Sequence, residues 1–440
     1  MPPRPNILLI TVHDLGTRLG CYGETSVQTP ALDRLAAHGV RFVNHFATAP
    51  YCSPSRGGII TGKYPHVNGL MGLVNLGWNL PPSNLTLDQA LGHAGYETLL
   101  FGHQHEVKDV AQLGFHHLPD RSVGVRCGPV AAQVAEFLAR RREERPFYAR
   151  VGFGEVHRPY ESYPADDPAR VRVPPHLKDT PGARQDLAMF HGCIRTMDAA
   201  VGRILDALGS SGLAENTLVV FTTDHGIAFP RAKATLYDPG IRTTLLLRGP
   251  GIRPGQVASE LISNVDVFPS LLDAAGAPVP GDLNGRSFWP LLTGRAYTPR
   301  DAIFAEKNTQ PWDIKRCIRT ARYKYIRNFN EGPLLSLPTD IESSLTRRDM
   351  GHDHLRPRPP VELYDLSADP NEQTNLAGRP DYTSVEQDLS TQLQRLLEAT
   401  HDPILRGPIP RPPDEEQIYR RVWAKLGLPL PKEWDADSRG

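Results

Sequence analysis

Cysteine is scarce: five residues among 440, at positions 21, 52, 127, 193 and 317, odd in number and without a C-x-x-C pair. That spacing argues against a disulfide framework and against a thiolate zinc site. Net charge is lacking too. The 49 basic residues cancel the 49 acidic ones, so the overall balance gives no reason to expect nucleic acid as a partner. No segment approaches the roughly 18–20 apolar residues of a membrane span. Met1-Pro2-Pro3-Arg4-Pro5 leads straight into a strand-like run without a signal-peptide core, so the expected setting is cytoplasmic, with no membrane partner. Internal repeats and low-complexity tracts are also missing.

What is present reads as an α/β protein. At 440 residues the chain exceeds one compact core, and we expect a large domain over 1–303, a small α+β unit over 304–405 and a proline-rich tail over 406–440. Asn6 to Val12 is a continuous apolar run, the pattern of a parallel strand buried on both faces, and it ends at His13-Asp14. Ligands collect at the carboxyl ends of such strands, which places Asp14 well for a metal. Three further runs behave alike. Tyr96 to Phe101 ends at Gly102-His103-Gln104-His105, Pro146 to Phe153 at Glu155-Val156-His157, and Thr217 to Phe221 at Asp224-His225-Gly226. Between them, Leu85–Ala94, Val130–Arg141 and Leu187–Leu208 read as helices, the last with one apolar stripe. From about Phe304 the pattern changes to alternation: Ile318–Ile326 reads as an antiparallel hairpin, Glu362–Leu366 as a strand and Val385–Ala399 as a covering helix. The tail, with Pro408, Pro410, Pro412 and Pro413, is expected to wrap the surface or a partner subunit, which leaves a homo-oligomer open.

The most informative stretch is Ala49-Pro-Tyr-Cys52-Ser-Pro54-Ser-Arg56-Gly-Gly58, closed by Thr61-Gly62. A helix is expected from about Ser55 toward Ile60, its first amides pointing at the Cys52 side chain and favouring anions there. Cys52, Pro54 and Arg56 form a C-x-P-x-R core, Thr29 to Phe42 follows T-P-x-L-D-x-L-A-x-x-G-x-x-F, and His66-Val67-Asn68-Gly69 follows H-x-N-G. On these motifs the chain resembles the formylglycine-dependent sulfatases of the alkaline phosphatase superfamily, most closely the N-sulfoglucosamine sulfohydrolases. The resemblance spans roughly residues 5 to 405. It implies a large, mostly parallel sheet sandwiched by helices, with a smaller C-terminal antiparallel-sheet domain. It also implies hydrolysis of a sulfate ester or sulfamate, with a sulfated sugar as substrate.

The resemblance further implies that a formylglycine-generating enzyme oxidises Cys52 to a formyl group. One hydroxyl of its hydrate attacks sulfur, and the other loses a proton and collapses to expel sulfate. Arg56 would hold the nucleophile or a sulfate oxygen, and His105 would accept the proton. His103, standing where the family has lysine, together with His157 and Lys233, would contact the sulfate or protonate the leaving atom. The metal positions correspond to His13, Asp14, Cys52, Asp224 and His225. Calcium is the family default, yet imidazole in place of oxygen ligands favours manganese, iron or zinc. Asp224-His225 also resembles phosphonate monoester hydrolases, so a phosphodiesterase or phosphonate hydrolase acting on a phosphorylated substrate is the alternative. A catalytically inactive homologue is a third reading.

Overall fold

In the computed structural model of the chain, residues 4–142, 145–308, 313–425 and 427 are described. Seven strands form the main sheet: β1 (Asn6–Val12), β2 (Val40–Phe42), β3 (Glu97–Gly102), β4 (Phe147–Gly152), β5 (Thr217–Thr223), β6 (Leu245–Arg248) and β7 (Gln256–Ala258). Their spatial order is β3-β4-β1-β5-β6-β2-β7. The first four in that order are parallel, and β6 runs antiparallel to both its neighbours.

Successive side chains of a strand point to opposite faces, and β1 serves two cores in this way. Leu8, Ile10 and Val12 join Val130, Val134, Leu187 and Ile194 on one side, while Ile7 and Leu9 meet Ile59, Leu91 and Phe268 on the other. That double burial is why the strand reads as an unbroken apolar run. The helices Cys127–Arg140 and Pro181–Ser210 cover the first face, and Cys52–Thr61, Leu87–His93 and Val267–Ala274 the second.

A smaller antiparallel sheet of four strands follows: Ala302–Lys307, Lys315–Thr320, Tyr323–Asn328 and Val361–Asp365. Helix Thr383–Ala399 covers it through Leu389, Leu393 and Leu397. Between its third and fourth strands the chain turns back to the main body. There the short helices Thr339–Glu342 and Leu345–Asp349 lean on the long helix, with the Thr346 amide and hydroxyl both donating to Asp186. After Arg406 the proline-rich stretch leads into helix Glu415–Lys425, which lies on the chain's own body. Tyr419 and Trp423 pack on Leu76, and the Trp78 indole donates to Glu415 at 2.9 Å.

Candidate active site

Register brings the strand ends together. Val12 of β1 pairs with Thr223 of β5, Thr11 with Gly152 of β4, and Gly152 with Gly102 of β3. His13, Asp224 and His103 are therefore each the first residue past a parallel strand, on one edge of the sheet. Gly152 is required for this crowding, because a Cβ there would stand 2.0 Å from the His103 carbonyl oxygen. Asp14 holds a left-handed backbone (φ 50°), which aspartate tolerates better than most residues. Its amide donates to Asp224 Oδ1 at 3.0 Å.

The helix bearing the cysteine starts at Cys52, three residues earlier than expected from sequence, with Tyr51 as N-cap. Proline is tolerated in a first turn, so Pro54 does not delay the start. Cys52 thus rides on the helix itself and is buried, its Sγ 3.4 Å from His225 Nε2. The helix seats deeply because Gly58 carries no side chain; a Cβ there would meet Thr48 Oγ1 at 2.8 Å. Burial, reinforced by Asp224 and Asp14, pushes the Cys52 thiol well above its ordinary range. The pocket therefore disfavours a thiolate.

Arg56, one turn on, is wholly buried. It donates from Nε to Asp224 Oδ2 (3.1 Å), from Nη1 to Thr11 Oγ1 (3.3 Å) and from Nη2 to the Val12 carbonyl (3.0 Å). Three of a guanidinium's five N–H groups are thus committed inside the protein. Burial works to raise the Asp224 pKa, but His225, His13 and Arg56 outweigh it and hold the carboxyl well below the usual range.

The donors facing Cys52 suit a cation. His225 Nδ1 lies 2.9 Å from the Gly226 carbonyl, which can only accept, so Nδ1 carries the proton and Nε2 presents a lone pair. That lone pair faces Asp14 Oδ1 at 3.1 Å and Asp224 Oδ1 at 3.7 Å, and Asp14 Oδ1 is buried without a hydrogen-bond partner. Acceptors this close repel unless a positive charge stands among them. His13 faces the same centre. Its Nδ1 is 3.0 Å from Asp224 Oδ2, and with Asp14, Cys52 and Asp224 it forms a group whose donor atoms lie within 4.8 Å of one another.

On the opposite side stand Lys233, His157 and Asp340. Lys233 Nζ donates to Asp14 Oδ2 and to Asp340 Oδ2, each at 2.8 Å, and lies 3.3 Å from His157 Nε2. Burial would lower the lysine's pKa, but the two carboxylates outweigh it and hold the ammonium charged. His157 Nδ1 lies 2.6 Å from the Arg158 carbonyl, so this ring also turns Nε2 inward. Asp340 was absent from the sequence reading. It sits 107 residues from Lys233 on a short helix of the returning segment, with no motif or periodicity to mark it.

The histidine pair after β3 completes the site. His103 packs 4.7 Å from the His13 ring and 5.4 Å from the His105 ring. His103 Nε2 and His105 Nδ1 are buried without partners. Burial and then Arg56 lower the His105 pKa to about 4, leaving a neutral ring able to take a proton. Its amide is held by Glu106, which a buried ion pair with Arg150 fixes in turn. This support was also not read from sequence.

Residues 5–277 match the sulfatase family, and residues 225–342 match the C-terminal region of N-sulphoglucosamine sulphohydrolase. The chain belongs to the sulfatase family. Human N-sulphoglucosamine sulphohydrolase is 30% identical over 465 residues, covering 92% of each chain. A solved protein in complex with its substrate D-glucosamine-2-N,6-O-disulfate has a similar fold, with TM-score 0.72 at 21% identity, over 91% of this chain and 98% of that one. The phosphonate monoester hydrolase of Silicibacter pomeroyi has TM-score 0.69 at 22% identity, over 91% and 96%. This sulfatase is accordingly a hydrolase of sulfate esters or sulfamates, with the alkaline phosphatase-like fold. A metal ion and a formylglycine belong to the family's equipment, and the donors around Cys52 fit both.

Proposed function

We propose that this sulfatase removes the sulfo group from a small sulfated amino sugar, with Cys52 as the formylglycine precursor and one divalent cation held by His13, Asp14, Asp224 and His225. The observation that carries the reading is the Cys52 sulfur set on a helix start against His225 Nε2, with two buried carboxylates beside it. The human relative is named for N-sulphoglucosamine, and the solved neighbour holds a sulfated glucosamine, which supports the substrate class. Because Cys52 is only 4% exposed, its oxidation by a maturation enzyme must precede folding.

A cation among these donors would supply positive charge to the sulfate oxygens and acidify the attacking hydroxyl. A hydrated formyl group derived from Cys52 would supply that hydroxyl and a second one. Arg56 fixes Asp224 and keeps the centre from being over-negative. The neutral His105 would take the second hydroxyl's proton. Lys233, locked between two carboxylates, acts as a fixed charge toward the sulfate rather than as an acid. His157, whose Nε2 faces Lys233 at 3.3 Å, would give the leaving atom a proton only as the imidazolium, in which both ring nitrogens are donors.

Imidazole at His225 selects manganese, iron or zinc over calcium. Chelation should abolish turnover, and manganese or zinc should restore it. Restoration by calcium alone would refute the assignment. Asp224-His225 also supports a second reading, hydrolysis of phosphonate monoesters or phosphodiesters. Steady-state assays on aryl sulfate, sulfamate and phosphonate esters, with mass spectrometry of the Cys52 peptide, decide between them. Unconverted, fully active enzyme would sink both formylglycine readings.

A further inference from the structure

One carboxylate beside the leaving atom is only half used. Lys233 Nζ donates to Asp340 Oδ2 at 2.8 Å, while Asp340 Oδ1 has no partner among the described residues. The short helix Thr339–Glu342 delivers this side chain, and the segment behind it is tied to the long helix through Thr346 and Asp186. Arg158, whose charge is also felt at Asp340, does not fill the gap. Its terminal nitrogens donate to Asp186 at 3.3 and 3.1 Å, and its Nε donates to the Ala228 carbonyl at 3.0 Å.

Exposure places Asp340 at the entrance. The Asp14 side chain is fully buried and that of Lys233 is 4% exposed, whereas 18% of Asp340 and 38% of His157 reach solvent. His157 Nε2 and Asp340 Oδ2 are 3.8 Å apart, so a leaving atom in reach of the imidazole is also beside the carboxylate.

A negative charge at this entrance has the wrong sign for an arriving sulfate. Like charges brought together cost affinity, and Asp340 also offsets the Lys233 charge that draws the sulfate in. The sign is right for a departing amine. As sulfur bonds to the attacking hydroxyl and the S–N bond of a sulfamate breaks, the electron pair stays on nitrogen. The nitrogen takes one proton from the His157 imidazolium and a second from water, and the amino sugar departs as an ammonium. An S–O bond broken in the same place leaves a neutral hydroxyl. A carboxylate oxygen with free lone pairs makes a charge-assisted hydrogen bond to the first product and not to the second.

We propose that Asp340 sets this enzyme's preference for a nitrogen over an oxygen leaving atom, its Oδ1 receiving the ammonium of the freed amino sugar. The proposal rests on the amino-sugar reading above.

Two measurements on the full-length protein test it. The first compares kcat/KM for N-sulfoglucosamine and for glucose 2-O-sulfate, which differ in the atom that leaves. Misplacing Lys233 slows both substrates alike, so the ratio isolates the contact with the amine. Asp340→Asn should lower the ratio of the first to the second at least about tenfold. An unchanged ratio, with both substrates slowed equally, overturns the proposal and leaves the functional reading standing. The second measurement needs no turnover. Glucosamine and glucose are titrated by calorimetry into Cys52→Ala, with and without Asp340→Asn, at about pH 6, where a sugar amine is an ammonium. Glucosamine should bind Cys52→Ala at least about tenfold more tightly than glucose, and Asp340→Asn should erase the difference. That result supports the ammonium site even if neither sulfated sugar is turned over, an outcome that counts against the functional reading alone. Equal binding of the two sugars by Cys52→Ala, or a difference that survives Asp340→Asn, refutes it.

Discussion

Two buried clusters in this chain are built from the same residue types and differ in how fully those residues answer one another. Around Glu306, the His66 amide and Nδ1 meet Oε1 at 3.0 and 2.7 Å, and Asn308 donates to Oε2 at 2.6 Å. Arg316 grips Asp402 through Nε and Nη2 at 2.6 and 2.9 Å, and His66 Nε2 reaches Thr400 Oγ1 at 2.9 Å. Around Asp14 and Asp224, by contrast, Asp14 Oδ1, His103 Nε2 and His105 Nδ1 have no hydrogen-bond partner among the described residues. Geometric grouping alone marks both clusters as able to hold a metal. Satisfaction separates them: a closed network ties segments together, whereas an open one is shaped for something that arrives.

The sharpest way to break that contrast is to remove Cys52. Cys52→Ala should lower turnover by at least about 10³-fold while the melting temperature stays near wild type, since the nucleophile precursor is lost and little packing with it. Comparable turnover in that variant would place the chemistry elsewhere. Cys52→Ser, which keeps one hydroxyl, should be equally inactive in steady state.

The closed cluster should respond in the opposite currency. Burial works to raise the Glu306 pKa, but His66 and Arg316 outweigh it and hold it at about 2. Glu306→Ala would therefore strand His66, Asn308 and part of Arg316, at a cost of about 3–5 kcal/mol in denaturant unfolding. Turnover per folded molecule should change far less than for Cys52→Ala. A stable but inactive Glu306→Ala protein would mean that this cluster belongs to the catalytic apparatus.

Asp340 sits between these extremes, being paired yet beside the open site. Burial acts to raise its pKa, and Lys233 and His157 overcome it, so it stays ionised. Asp340→Asn keeps the shape and removes the charge. We expect kcat to fall about 10- to 100-fold as Lys233 swings toward Asp14, with a smaller change in KM. An unchanged kcat would show that Asp14 alone positions the lysine.

The legibility of this molecule follows the same division. The parallel strands could be read because burial on both faces leaves unbroken apolar runs. Each run ends within a few residues of a site group; the strand-end rule named Asp14, and the family resemblance named His13, His103, His105, His157, Asp224 and His225 there. The ends of the parallel strands were read to within two residues. The start of the Cys52 helix was not, because Cys-Ser-Pro-Ser-Arg carries no apolar period and the helix is buried all round. Asp340 was illegible for a deeper reason. It reaches the site through a segment that leaves the second sheet and returns, and no local pattern reports a contact made at long range.

The smallest predicted effect concerns histidines that lie in neither cluster. His45 is fully buried beside Thr243, with Nδ1 2.8 Å from its hydroxyl, and burial lowers its pKa to about 3. His191 is also fully buried, 3.2 Å from Arg18 Nη2, and burial and then Arg18 lower it to about 4. Asp166 lies 3.6 Å from its other nitrogen but is paired with Arg195. In the unfolded chain both rings protonate near pH 6.5. The folded state refuses those protons, so its stability is complete above about pH 6.5 and is lost progressively as pH falls toward the folded values. By pH 5 each ring should have withdrawn about 1–2 kcal/mol. Melting temperatures recorded from pH 7.5 to 5 should fall steeply in wild type and less so in His45→Asn and His191→Asn. Curves that stay parallel to wild type would show that the acid sensitivity belongs to the site histidines, His105 among them, and not to these two.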